Sequence, residues 1–147
     1  MAKLSELQDL WTTDSKIDEM NLGHEAAKTP ILHAKYLNLL TSSKLNLRKS
    51  ESDYMKMRRK KFRYYRGEMS SFELQDEGWG QWQGTKPLKN EMDEFLSFDD
   101  QLLDLQDKIE YFKTVVFHLE QIIRSLNSRT WDVKNAIEWT KWTSGSI

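Results

Sequence analysis

Residues 31–66 read ILHAKYLNLLTSSKLNLRKSESDYMKMRRKKFRYYR. They contain no Gly and no Pro, and Leu32, Tyr36, Leu39, Leu40, Leu47, Tyr54, Met57, Lys61 and Tyr65 recur at gaps close to three and four. That period belongs to one face of an α-helix. The stretch predicts a single long helix, loosened at Thr41-Ser42-Ser43, reaching ~54 Å at ~1.5 Å per residue. A small domain cannot cover that length, so part of it is expected to project or to pack between subunits.

Working outward, Leu4, Leu7, Leu10 and Trp11 predict a short first helix broken at Thr12-Thr13-Asp14. Ile17, Met20, Leu22, Ala26 and Ala27 predict a second, ended or kinked by Thr29-Pro30. Past Gly67 the chain turns irregular, with Gly78, Gly80, Gly84 and Pro87 around Trp79 and Trp82. There Phe72-Glu73-Leu74 and Gly80-Gln81-Trp82 are expected to pair as a small hairpin. Helical spacing then resumes, with a joint at Ser97-Phe98-Asp99-Asp100. Ile109, Phe112, Val116, Leu119, Ile123 and Leu126 form a heptad-like seam, read as the oligomer interface. Asn127-Ser128-Arg129-Thr130 is expected to break this helix, and Trp131, Val133, Ala136, Ile137 and Trp139–Trp142 to form a last amphipathic one. The class is mainly α. Its expected segments are 1–67, an N-terminal helical region ending in a basic helix; 68–90, a Gly/Trp-rich loop or small hairpin; and 91–147, a helical oligomerisation region.

Composition narrows the chemistry. In 147 residues there is no Cys, which excludes disulfides and thiolate metal sites and suits a reducing compartment. The longest apolar run, Val115-Val116-Phe117, is far short of the ~20 residues of a membrane span, and the N-terminus lacks the apolar core of a signal peptide. A soluble intracellular protein, without membrane contact, is expected. Gly84-Thr85-Lys86 has the wrong order for a phosphate loop, and Gly78, Gly80 and Gly84 miss the dinucleotide spacing. His24, His33 and His118 lack metal-site spacing. No catalytic group, metal or cofactor is expected, and the protein is read as a non-enzyme.

The net charge of −1 conceals opposed blocks. From residue 44 to 66 ten Lys/Arg face two acids; from 68 to 107 eleven acids face only Lys86 and Lys89. Solvated faces that attract each other would account for such blocks, as would a polyanion-binding arm. Within the basic block, Lys56, Arg58, Arg59, Lys60, Lys61, Arg63 and Arg66 occupy eleven positions without an acid. Like charges at helical i, i+3 and i, i+4 spacing repel by ~0.2–0.5 kcal/mol per pair, so an external anion is the simpler counter-charge. Tyr64 and Tyr65, and Phe62 unless it packs on the helix's own core face, offer rings on which exposed bases stack. That combination favours single strands over duplex. Trp79 and Trp82 are a second stacking candidate, or else the packing of the hairpin.

Three colinear blocks add a resemblance. Asp14-x-x-Ile17-Asp18-x-x-x-Leu22-x-x-Glu25-Ala26-Ala27 running on to Leu32 and Lys35-Tyr36-Leu37-Asn38 is the first. The basic helix ending in Tyr64-Tyr65-x-Gly67 is the second, and Lys89-x-Glu91-Met92-x-x-x-Leu96-Ser97-x-Asp99 with Leu103, Leu105 and Tyr111-Phe112 the third. Together they resemble the UvsY-type recombination mediators of T-even-like bacteriophages. The resemblance implies an all-helical, ring-like or open-barrel homo-oligomer of six or seven subunits in the host cytoplasm. It implies binding to single-stranded DNA, to the phage single-strand-binding protein and to a RecA-like phage recombinase, which it would load during recombination, repair and replication. Family members contact DNA through basic residues before the Tyr-Tyr pair, positions held here by Arg59 and Lys61. The Gly67–Lys89 segment, longer and richer in Trp, and Pro30 depart from the pattern. The alternative is a helical protein-binding adaptor or scaffold that does not touch DNA.

Overall fold

The computed structural model describes residues 3–145 as five helices: α1 (Leu4–Asp14), α2 (Leu22–Tyr65), α3 (Ser71–Glu77), α4 (Met92–Ser97) and α5 (Asp100–Thr143). No strand occurs among the described residues. The mainly α class therefore holds. None of these helices is long and apolar enough to cross a membrane.

The long helix begins earlier than residue 31. Asp18 fixes the turn before it, accepting from the Met20 N–H at 3.0 Å and the Asn21 amide at 2.8 Å. Ile17 and Met20 thus lie outside the helix, which starts at Leu22 and runs unbroken through Pro30 and through Thr41–Ser43. An internal proline costs ~3 kcal/mol, and the surroundings offset it. Thr29 Oγ1 donates to the Glu25 carbonyl at 3.4 Å and accepts from Arg129 Nε at 3.2 Å, while the Arg129 guanidinium meets Glu25 Oε2 at 2.5 Å in a fully buried ion pair. At the other end Gly67, at φ +72°, closes the helix. Its N–H reaches Tyr64 O and the Glu68 N–H reaches Arg63 O, a left-handed terminus that favours glycine.

Of three further expectations, two change and one holds. Phe72-Glu73-Leu74 belongs to α3, because Ser70 accepts from the Glu73 N–H and caps a helix there; the hairpin is absent. The joint at residues 97–100 is real: α4 ends at Ser97, and Asp99 caps α5 by accepting the Leu102 N–H at 3.0 Å. The break at Asn127–Thr130 is not. Leu126, Arg129 and Val133 are buried there while Asn127 and Ser128 face solvent, so tertiary burial overrides the weak helix propensity of Asn, Ser and Thr.

The chain forms two compact units. One comprises the described residues up to Lys44 together with those from Lys113 onward. It buries Leu7 of α1, Leu32, Tyr36 and Leu40 of α2, and Val115, Leu119, Ile122, Leu126 and Val133 of α5. There Trp11 stands edge-on to Tyr36 at 5.3 Å, and Asp14 accepts from Lys35 and Tyr36 at 2.6 and 2.8 Å. The other unit, Leu45–Phe112, centres on Met92, Leu96 and Leu102, against which Tyr54, Met57, Phe62 and Tyr65 of α2 pack. Of the heptad seam, Ile109, Phe112, Val116, Leu119 and Leu126 are buried, and Ile123 half-buried, inside a single chain. Its period reflects the protomer's own core.

Candidate nucleic-acid interface

The basic end of α2 lies wholly in the Leu45–Phe112 unit, beside the acid-rich residues that follow it in sequence. Helical spacing distributes its cations around the axis, and four of them meet four different carboxylates. Arg63 forks onto Glu73, with Nη1 to Oε2 at 2.6 Å and Nη2 to Oε1 at 3.0 Å. Lys60 meets Glu77 at 2.5 Å, Arg58 meets Asp93 at 3.2 Å and Arg66 meets Glu68 at 3.0 Å. Glu73 and Glu77 are four apart on α3, and so face the same side of that short helix. The run expected to be uncompensated therefore has intrachain carboxylates at most of its positions. All four of these pairs are partly open to solvent, the regime in which an ion pair is worth ~0–1 kcal/mol.

Lys61 differs in kind. Its side chain is 9% exposed and its ammonium lies 3.2 Å from Asp99, itself 4% exposed. It sits 4.0 Å over the Trp79 ring and 5.3 Å from that of Tyr64. Asp99 also accepts from the Tyr65 hydroxyl at 2.7 Å and from the Leu102 N–H. Burial alone would raise the Asp99 pKa. The donations from Tyr65, from the backbone and from Lys61 outweigh it and hold the carboxyl below its ordinary value. The same burial, with the bond to Asp99, pushes the Tyr65 phenol well above its usual range.

The tyrosines are engaged as well. Tyr64 donates to Gly80 O at 2.7 Å and meets Trp79 edge-on at 5.3 Å, and Tyr65 meets Trp82 at 4.9 Å and Phe95 at 5.8 Å. Trp79 and Trp82 are thus packing partners of the two tyrosines, although not in a hairpin. Gly84 lies so close to the Trp82 ring that a β-carbon there would sit 2.3 Å from it. Only glycine lets the loop fold over that indole.

Lys56 and Arg59 remain. Both are exposed, and neither has a carboxylate partner among the described residues. With Met55, Arg58, Phe62 and Arg63 they line an open groove of about 420 Å³. The sequence put all seven cations into one run and could not separate the buried Lys61 from the exposed Lys56 and Arg59. It also missed Asp99 and Phe95 as members of the site. The one available signal was Asp99 at the predicted joint, a residue type suited to capping the next helix.

Comparison with known proteins follows the same lines. A family model described as "Recombination, repair and ssDNA binding protein UvsY" matches residues 10–146. No curated protein sequence matches significantly. Three crystal structures of the bacteriophage T4 recombination mediator protein UvsY, in lattice types II, IV and I, superpose with TM-scores of 0.81, 0.80 and 0.77 at 22% identity. They cover 98%, 97% and 93% of this chain and 99%, 99% and 98% of theirs. The fold is shared across nearly the full length.

Proposed function

The chain belongs to the UvsY family of recombination, repair and single-stranded-DNA-binding proteins, and from that membership we propose that it is a recombination mediator whose α2 basic face holds single-stranded DNA. One observation carries the proposal. Lys56 and Arg59 stand exposed and unpaired over a groove, in a region where the neighbouring cations already have carboxylates. They supply the direct phosphate contacts. Arg58, Lys60, Arg63 and Arg66 join by exchanging solvent-exposed carboxylates for phosphates, an exchange of nearly equal energies. Lys61 acts from beneath: buried against Asp99 and Trp79, it fixes the helix end and the Tyr64–Tyr65 cluster rather than touching the strand.

Mediation asks for more than binding. Acting as a homo-oligomer, the protein presents many weak sites to one strand and gains avidity from their effective concentration. A strand held in a geometry that the single-strand-binding protein tolerates poorly and a RecA-like recombinase prefers is passed from one to the other, since only differential affinity shifts such an equilibrium.

Titrating a labelled oligothymidylate across a range of salt tests the binding step. Each neutralised phosphate contributes a slope of about −0.7 in log K against log salt for single strands. Lys56→Ala with Arg59→Ala should flatten the slope by about 1.4 and leave helicity unchanged. A wild-type protein that ignores the oligonucleotide would instead be a protein-binding adaptor, its cations committed to carboxylates.

A further inference from the structure

Two open grooves flank Phe62. The first is that of Lys56 and Arg59. The second, about 490 Å³, is bounded by Phe62 and Arg66 of α2 and by Lys86, Leu88 and Lys89 of the segment before α4. Lys86 and Lys89 are the two cations among the eleven acids of residues 68–107, yet neither has a carboxylate partner among the described residues. The acid nearest in sequence to Lys89 is committed elsewhere: Glu91 Oε2 accepts the Leu88 N–H at 3.2 Å. Pro87 is buried between the two lysines, and Met92 just beyond belongs to the core. The loop is thus anchored at its middle and at its end, while both ammonium groups and Leu88, 63% exposed, are turned to solvent. Arg66, the third cation of the groove, lies 5.5 Å over the Phe62 ring and has only the exposed Glu68 as partner.

We infer that the Lys86–Lys89 loop is a second phosphate-binding station for the same single strand. Leaving the Lys56/Arg59 groove, the strand passes Phe62 and enters the groove of Arg66, Lys86 and Lys89, where Leu88 offers apolar surface to a sugar or base. Charge selects the occupant. A segment rich in acids leaves two lysines unpaired above a partly apolar floor, in a groove that shares Phe62 with the one lined by the free cations of α2. The inference rests on the strand-binding reading above and extends it to a loop outside the basic helix.

Lys86→Gln with Lys89→Gln tests it, measured beside Lys56→Ala with Arg59→Ala on the same labelled oligothymidylates. Both lysines are exposed, so circular dichroism should be unchanged. The expected result is a salt slope flatter by about 1.4, together with full affinity reached on a shorter oligonucleotide, because the footprint has shrunk. If the Lys56/Arg59 variant flattens the slope and the Lys86/Lys89 variant does not, the second station is wrong and the first stands. If the loop variant binds DNA normally but loses a protein partner, the groove serves that partner and the inference fails. If wild-type protein binds no oligonucleotide, both readings fall.

Discussion

At the scale of single residues, Lys61 shows how one position in a cation run acquires a separate task. In sequence it follows Lys60 directly; in the fold it is the only member of the 56–66 run that is buried, and its partner Asp99 is also a helix cap. Removing one member of a buried pair leaves the other uncompensated, at ~3–5 kcal/mol. The pair also carries a pH signature. The Asp99 pKa is depressed in the folded state, so its contribution is present above the ordinary carboxylate value and is lost as pH falls through the folded one. Asp99→Asn should lower the melting temperature clearly at about pH 7, and the gap to wild type should narrow as the pH falls below the ordinary carboxylate value and through the depressed folded one, where the native carboxyl itself takes up a proton. A gap that stays constant across that range would show that the charge on Asp99 does not matter to the fold. Asp14, held down by Lys35 and Tyr36 against the opposing effect of burial, adds a second acid-labile contact in the other unit.

Among the elements, α3 is the one the sequence concealed. Phe72-Glu73-Leu74 alternates as a strand would, and only the Ser70 cap and the left-handed Gly78 at φ +73° mark it as a short helix. Its function follows from its register, with Glu73 on Arg63 and Glu77 on Lys60. These carboxylates compete with phosphate for two cations of the proposed strand site. Glu73→Gln with Glu77→Gln should therefore tighten oligothymidylate binding and steepen its salt slope by up to about 1.4. Gln at the third helical position keeps the capping pattern intact. Binding that is unchanged or weaker would mean that Arg63 and Lys60 take no part. The long elements, by contrast, were legible, because Leu32, Tyr36, Met57 and Tyr65 keep the 3.6-residue period over a span that no turn residue interrupts. Less legible were Pro30 and Asn127–Thr130, where local preference argues for breaks. The Arg129–Glu25 ion pair, between positions 104 apart, overrides both, and no local pattern announces a contact of that separation. Opposed charge blocks could be seen in the sequence, but not which cation each acid would take.

For the whole molecule, the question is which surface a homo-oligomer would use. A seam at gaps of three and four looks the same in sequence whether it closes on its own chain or on a neighbour, and here most of its residues are already buried within one chain. The part of α5 left outward is aromatic: Trp131, Trp139 and Trp142 are 63%, 67% and 71% exposed, and Phe117 is exposed as well. Burying such side chains is worth ~1.5–3 kcal/mol each, enough for several of them to hold subunits together. Two substitutions separate the surfaces. Leu119→Asp places a charge at a site with no solvent exposure, where an unpaired ion costs several kcal/mol, so it should abolish helicity and melting rather than merely split an assembly. Trp139→Glu with Trp142→Glu should leave circular dichroism intact and lower the mass measured by sedimentation. A Leu119→Asp protein that stayed folded but became monomeric would restore the seam as the interface. Full-mass assembly of the tryptophan variant would place the contact on another face, and the avidity that mediation requires would then have to come from there.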